Sequence, residues 1–512
     1  MRNVIFLFLF STLLIITACT EGTSDEGADL TGNTEGKDSI VIGFEADAAT
    51  LLANSDVNYV TDAQISNIYD RLIGRDAETG DYIGVLAEDW ESVDELTWKF
   101  TLREDVQFHN GAEFDAEAVK YSIDFILDEE NNSFYRSRWT NVDEVIVNSP
   151  TEIEIKTKEP FAGLIEYIAT DLMIMEPGYM EEVGNDEAAK NPIGTGPYKF
   201  SEWSRDNYLK LEAFEDYWQG EPEIKEVEFR YIPEMSSRLS SFLSGEIDIF
   251  KNLPVDSVEQ VENEDDSKVA EVSSSRRNYL ALNNISEGPM QDVRVRQAIN
   301  YAVNVDELLE SILNGHGTKI TGPLVDINKG YVETEDYGYD SEKAIDLLNE
   351  AGYEPEELTL TLETPSGRYP MDTHVAQGIA SQLQKIGVEV DVQVNEWGTH
   401  LDRIKDREVG DMFILGWGPA FDAQSTIETL FMKDQPYSGF YDEELEAKIQ
   451  KTNETFDEDQ RFDGYEEIQH ELVEQAAWVP LWQQSDLYAV RDSLEFVPRV
   501  DEQILVKEMS WK

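Results

Sequence analysis

Apolar positions in this chain fall into three patterns, each predicting a different kind of segment. The first is a continuous run, Val4 to Ile16, built almost wholly of Val, Ile, Leu and Phe behind the basic start Met1-Arg2-Asn3. It is too short for a permanent membrane span and has the length of a signal-peptide core. The second is alternation. Trp98-Lys99-Phe100-Thr101-Leu102 places apolar residues at every other position, as a half-buried strand does, and Val388, Val390, Val392 and Val394 do the same. Ser39 to Phe44 and Asp411 to Gly416 are shorter apolar strands. The third is helical spacing. A helix opens after Phe114 with Asp115 as its N-cap and runs through Tyr121, Ile123, Phe125 and Ile126. A long helix is predicted from Asp292 to Leu313, closed by Gly315, and another from Asp372 to Ile386.

The order of these elements predicts an α/β fold. Leu358 to Leu362 is a strand, Asp372 to Ile386 a helix, and Val388 to Val394 a second strand, which together make a right-handed crossover in a largely parallel sheet. Ligands of such sheets gather beyond the carboxyl ends of the strands. Arg368-Tyr369 and the stretch Trp417 to Asp422 lie there.

Between the N-terminal run and the first strand, residues 20 to 38 are mostly Ser, Thr, Gly, Asp and Glu, the composition of a disordered tether. Gly32 to Lys37 superficially has the look of a phosphate loop. Its spacing is one residue short, no strand precedes it, and Asp38 stands where a metal-binding hydroxyl belongs. Ile16-Thr17-Ala18-Cys19 resembles the lipobox of bacterial lipoproteins, and Cys19 is the single cysteine. That resemblance implies lipidation of Cys19, cleavage after residue 18 and a membrane anchor. With its thiol so used, the mature chain has no disulfide and no thiol chemistry.

Composition narrows the function further. A chain of 512 residues, 41% hydrophobic, has room for two or three domains with real cores. It carries 40 Lys and Arg against 106 Asp and Glu, a net charge of −66. Such a surface repels phosphate backbones, so nucleic acid is excluded as a partner. The acids are spread in solvated runs such as Glu259 to Asp266, and the reading is adaptation to a saline habitat.

Enzyme chemistry lacks a constellation. The five histidines, at 109, 316, 374, 400 and 470, show no ligand spacing. His470-Glu471 is half of a zinc-protease helix, but Glu474 occupies the place of the second histidine. No Gly-x-Ser-x-Gly elbow occurs. A secreted hydrolase is the alternative from a different class, and no metal or cofactor is expected.

Several ordered blocks resemble the family 5 extracellular solute-binding proteins, receptors of ABC importers for oligopeptides, dipeptides, glutathione and nickel complexes. The blocks are Leu86 to Trp90, Phe100 to Gly111, Phe114 to Val119, Asn191 to Tyr198, Asp292 to Ala302, Gly367 to Pro370, Gln382 to Gly387 and Gly416-Trp417. The resemblance implies a two-lobe periplasmic-binding-protein-like fold, class II type, with an inserted subdomain and the ligand site between the lobes. The expected division is lobe I at 39–69, 193–274 and 480–512, the insert at 70–192, and lobe II at 275–479, behind a signal peptide at 1–18 and a tether at 19–38.

It also implies a receptor for small peptides, monomeric and lipid-anchored, that works with ABC permease subunits. Peptide-binding members place an aspartate four residues after the glycine of the Gly-Trp pair, and here that position is Ala420. Trp417-Gly-Pro-Ala-Phe-Asp422 looks closer to glutathione-type and nickel-type members. A nickel complex is disfavoured, because 170–179 holds no arginine and Gln435 stands near the place of that group's histidine.

The candidate ligand-binding residues are Trp417, Phe421, Trp397 and Tyr369 for aromatic contact, Asp422 for an amine and Arg368 for a carboxylate. Each has a plainer reading: Trp397 as a cap on the sheet edge, Phe421 as core and Asp422 as the N-cap of a helix over Ala423 to Phe431.

Overall fold

A computed structural model describes residues 37–56 and 59–512. The expected signal peptide, Cys19 and nearly all of the expected tether lie outside the described residues. Among the described residues, eleven strands form one mixed sheet. From one edge its order is Glu389–Asn395, Thr359–Pro365, Met412–Trp417, Ser267–Leu282, Trp478–Arg491, Ile249–Lys251, Ser39–Phe44, Glu226–Tyr231, Tyr208–Ala213 and Tyr198–Ser204, with Thr318–Lys319 added beside Trp478–Arg491.

Ser267–Leu282 and Trp478–Arg491 are the long members, 16 and 14 residues, and pair antiparallel over most of their length. Every other strand of the sheet is attached, directly or through neighbours, to one side or the other of this ribbon. The register slips between Ser273 and Arg277, where the partner advances only from Ser485 to Gln483. That bulge leaves Ser274 to Arg276 out of the ladder and re-aims their side chains.

The strand–helix–strand unit forms as its pattern predicts, but the sheet around it is not largely parallel as expected, because the long central ribbon pairs antiparallel with its neighbours. Thr359–Pro365 and Glu389–Asn395 pair in parallel, joined by the helix Asp372–Lys385. Met412–Trp417 is buried on both faces, which explains its unbroken apolar sequence. Met412 and Ile414 pack with Leu280, Ile299, Leu360 and Ile379, while Phe413 and Leu415 face Tyr279, Ile427, Tyr465 and Ile468. At the other end of the sheet, Ile42, Tyr198, Leu209 and Phe229 pack with Val506.

A separate antiparallel sheet is built from Ala87–Asp94, Thr97–Leu102, Glu152–Thr157 and Val142–Ser149. Helix Ala116–Leu127 lies against it, capped by the Asp115 carboxylate at 3.0 Å from the Glu117 amide and 3.3 Å from that of Ala118. The buried residues of their shared core, around Phe100, Phe108, Trp139 and Ile168, all fall within 72–174, with Ile193 and Trp218 packed against them.

One expected element is broken. The helix predicted from Asp292 to Leu313 is two helices, Val293–Ala302 and Val305–Ile312. Val303 turns extended, and the Asn304 side chain caps the second helix by accepting from the Glu307 amide at 3.1 Å. The Gln382 carboxamide holds the break, accepting from the Asn304 amide at 2.9 Å and donating to its carbonyl at 3.1 Å. Asn304 followed by Asp306 and Glu307 is a helix start, and that signal outranks the continuous apolar spacing. No helix among the described residues is long and apolar enough to cross a membrane.

Candidate functional site

The carboxyl ends of Ser39–Phe44, Thr359–Pro365 and Met412–Trp417 converge on a cavity of about 1030 Å³, at the upper end of the usual range for small-molecule sites. Arg368, Tyr369, Trp397, Trp417 and Phe421 all line it. The loop after Thr359–Pro365 carries the first two. Asp372, the first residue of the following helix, accepts from the backbone amides of Arg368 at 2.9 Å and Tyr369 at 3.2 Å. This fixes both side chains against the wall. The Tyr369 hydroxyl donates to the Gly416 carbonyl at 3.1 Å, and its ring meets Trp397 edge-on with centres 5.9 Å apart. A β-carbon at residue 416 would stand 2.7 Å from that tyrosine ring, so only glycine admits the contact. Arg368 lies across both rings, its guanidinium carbon 5.2 Å from the centre of Tyr369 and 5.1 Å from that of Trp397.

Trp417 ends its strand half-buried, tilted against Tyr437 at 5.5 Å between centres. The chain then turns through the cis peptide Gly418-Pro419. Arg277, wholly buried, supports this turn from below by donating to the Thr426 hydroxyl at 2.6 Å and the Ala420 carbonyl at 3.2 Å. Burial pushes this guanidinium down to about 9. Asn328 donates to the same carbonyl at 2.6 Å.

Asp422 is placed differently from the expectation that it takes a ligand amine. It is not among the cavity-lining residues. Its carboxylate caps the helix Ala423–Phe431, accepting from the Gln424 amide at 2.7 Å. Burial, with Glu166 nearby, pushes its pKa up to about 6. Phe421 divides its roles: its ring borders the cavity and also packs on Arg75, 4.2 Å from the guanidinium carbon.

Sequence reasoning missed the charged frame of the site. The bulge turns Arg276 toward Glu502, and the two pair at 2.9 and 3.1 Å. Lys251 reaches the same carboxylate at 3.0 Å and Asp486 at 2.9 Å. Burial would raise Glu502, but Arg276 and Lys251 outweigh it and hold the carboxyl well below the ordinary range. Elsewhere on the wall Arg75 pairs with Glu166, Arg138 with Asp171 at 3.2 Å, Arg71 with Asp62 at 2.7 Å, and Arg499 with both Asp501 and Glu508. A chain with a net charge of −66 therefore lines part of its cavity with ion pairs that balance one another. The adjacent arginines 276 and 277, inside an otherwise strand-like stretch, are the one local signal of this arrangement.

Residues 81–438 match the bacterial extracellular solute-binding proteins, family 5, middle region. The chain belongs to that family. Its members are substrate-binding receptors rather than enzymes, and the mixed α/β architecture described above is theirs. The glutathione-binding protein GsiB of Salmonella paratyphi A is 28% identical over 461 residues, 86% of this chain and 88% of that protein. DppA of Helicobacter pylori, a periplasmic binding protein solved with the peptide STSA, is 26% identical with a TM-score of 0.80, covering 92% of this chain and 98% of its own. CtaP of Listeria monocytogenes, a substrate-binding protein of an ABC transporter, superposes with a TM-score of 0.85 at 23% identity, covering 92% and 99%.

Proposed function

We propose that this family 5 receptor captures small peptides outside the cell, as a monomer anchored through Cys19, and passes them to the permease subunits of an ABC importer. The observation that carries the peptide reading is the cavity itself. It has the volume for a short peptide, an aromatic wall at Tyr369, Trp397 and Trp417, and several charges already paired with one another. A zwitterion brings opposite charges into such a lining without leaving it with a net imbalance, and aromatic faces give area for varied side chains at little entropic cost. The lobe division set out from the sequence supplies the motion: a ligand that touches both sides only when they are closed shifts the population to the closed form.

Small peptides of the glutathione type are the second reading, supported by the Trp417 to Asp422 stretch and by the likeness to GsiB. Mass spectrometry of ligand carried through purification, followed by titration calorimetry with di- to tetrapeptides, glutathione and nickel-histidine, separates these readings. Binding of peptides without added metal is the expected result. Binding that requires nickel would overturn the peptide reading. For the anchor, Cys19→Ser should move the protein from the membrane fraction to the medium, and an unchanged fractionation would rule lipidation out.

A further inference from the structure

The site needs an acceptor for a ligand's ammonium group, because Ala420 and the inward-capping Asp422 do not supply one. Most carboxylates on the cavity wall are already committed. Asp62, Glu166, Asp171, Asp501 and Glu508 each hold an arginine. Asp70 accepts from the Trp218 indole at 3.0 Å, the Thr195 hydroxyl at 3.2 Å and the Tyr217 hydroxyl at 3.3 Å. Asp372 is consumed by the backbone amides that shape the Arg368 loop.

Glu45 differs. It directly follows the strand Ser39–Phe44, half-buried at the carboxyl end where ligands of α/β sheets gather. Among the described residues it forms no ion pair within 4 Å, and its side chain accepts one long hydrogen bond, from Asn252 at 3.3 Å. A half-buried carboxylate with most of its acceptor sites open, facing a ligand cavity, is an electrostatic vacancy for a cation. Glu45 also has positive charge nearby. Arg238 and Arg368 both line the cavity and both feel its charge. Arg238 is buried and donates to the Ile232 carbonyl at 2.6 Å, while its Nε has no acceptor.

We infer that Glu45 is the residue that receives the ligand's free ammonium group, with Arg238 and Arg368 beside it favouring a ligand that also carries a carboxylate. The assignment rests on the peptide reading above and adds to it a residue and a chemical preference. A ligand with an amine and an acid then meets Glu45 and the arginines together, whereas a purely cationic ligand meets the arginines' repulsion.

The test uses the full chain in titration calorimetry with trialanine, glutathione and the N-acetyl derivative of each. In the wild type, acetylation should weaken binding about tenfold or more, the effect of leaving a buried charge without its partner. In Glu45→Gln, of nearly the same shape, free and acetylated ligands should bind alike, with the free ligand reduced to the level of the acetylated one. Glu45→Asp, which keeps the charge on a shorter arm, should retain part of the preference and serves if the glutamine variant fails to fold. An acetylation penalty of the same size in wild type and both variants would overturn the role of Glu45 while leaving the peptide reading intact. A wild type that binds none of the four ligands would overturn both.

Discussion

The guanidinium carbon of Arg75 stands 4.2 Å from the ring centre of Phe421, and the two residues come from parts of the chain with separate cores. Arg75 is also 4.5 Å from the ring centre of Tyr82, whose other cationic neighbour is Lys329 at 4.5 Å. The Tyr82 hydroxyl donates to Glu166 at 2.9 Å, so the ion pair, the two rings and Lys329 form one clasp. Gly80 lets the Phe421 ring approach, since a β-carbon there would stand 2.6 Å from it.

Phe421→Ala should therefore destabilise the protein by about 3–5 kcal/mol, the range for removing a buried phenylalanine. Phe421→Leu keeps most of the burial and loses the cation–π contact, at a cost of about 1 kcal/mol. Denaturant unfolding of both variants measures the difference. Equal and negligible losses would show that the clasp contributes nothing.

Trp417 makes the opposite case. It is half-exposed at the end of its strand, so Trp417→Ala should leave the melting temperature nearly unchanged. Loss of its stacking surface should weaken all peptides together, by roughly 1–3 kcal/mol. Calorimetry across a peptide panel checks this, and a loss confined to one peptide would indicate a specific contact instead of a common wall.

Asp422 gives a pH signature. Its folded pKa of about 6 lies above the ordinary 3.8, so between these values the folded chain binds more protons at this site than the unfolded one. Its contribution to stability is full below about pH 4 and is lost as pH rises through 6, by up to ~3 kcal/mol. Asn is also a good N-cap, so Asp422→Asn removes the titration and keeps the helix. Stability of the variant relative to wild type should climb from pH 4 to 6 and then level off. Parallel curves for the two proteins would rule out a raised Asp422.

Net charge predicts a salt response. At −66 the folded chain repels itself, and screening shortens that repulsion to a Debye length of about 10 Å at 0.1 M salt. Melting temperature should rise from dilute buffer toward molar sodium chloride. A flat or falling profile would show that the buried ion pairs, not the surface, govern the response.

The parts of the molecule legible in the sequence are those whose signal is local. Met412–Trp417 and the unit from Thr359 to Asn395 form where period and length predict them, because burial on one or both faces writes itself into consecutive residues. The aromatic wall was legible for the same reason: Tyr369 and Trp417 sit at strand ends. Asn304 shows where pattern fails, since one cap and one glutamine contact divide a helix whose apolar spacing continues across the break. The charged frame had no local signature. Arg276 and Glu502 are 226 positions apart, and only the bulged ribbon brings them together. Asp422 was ambiguous in principle, because an acid before Ala423 serves a helix cap and an amine site equally well until its direction is known.

The bulged ribbon also separates what can vary from what must persist. Arg276, Lys251, Asp486 and Glu502 bind the two long strands, their neighbour and the C-terminal segment into one buried knot of charge, so exchanging any of them alone strands a cation or an anion in the interior. The loops holding Arg368, Tyr369 and Trp417 hang from strand ends and answer to no such constraint. A lineage could therefore rewrite a few positions at these strand ends, while the knot of charge that ties the ribbon together is inherited unchanged.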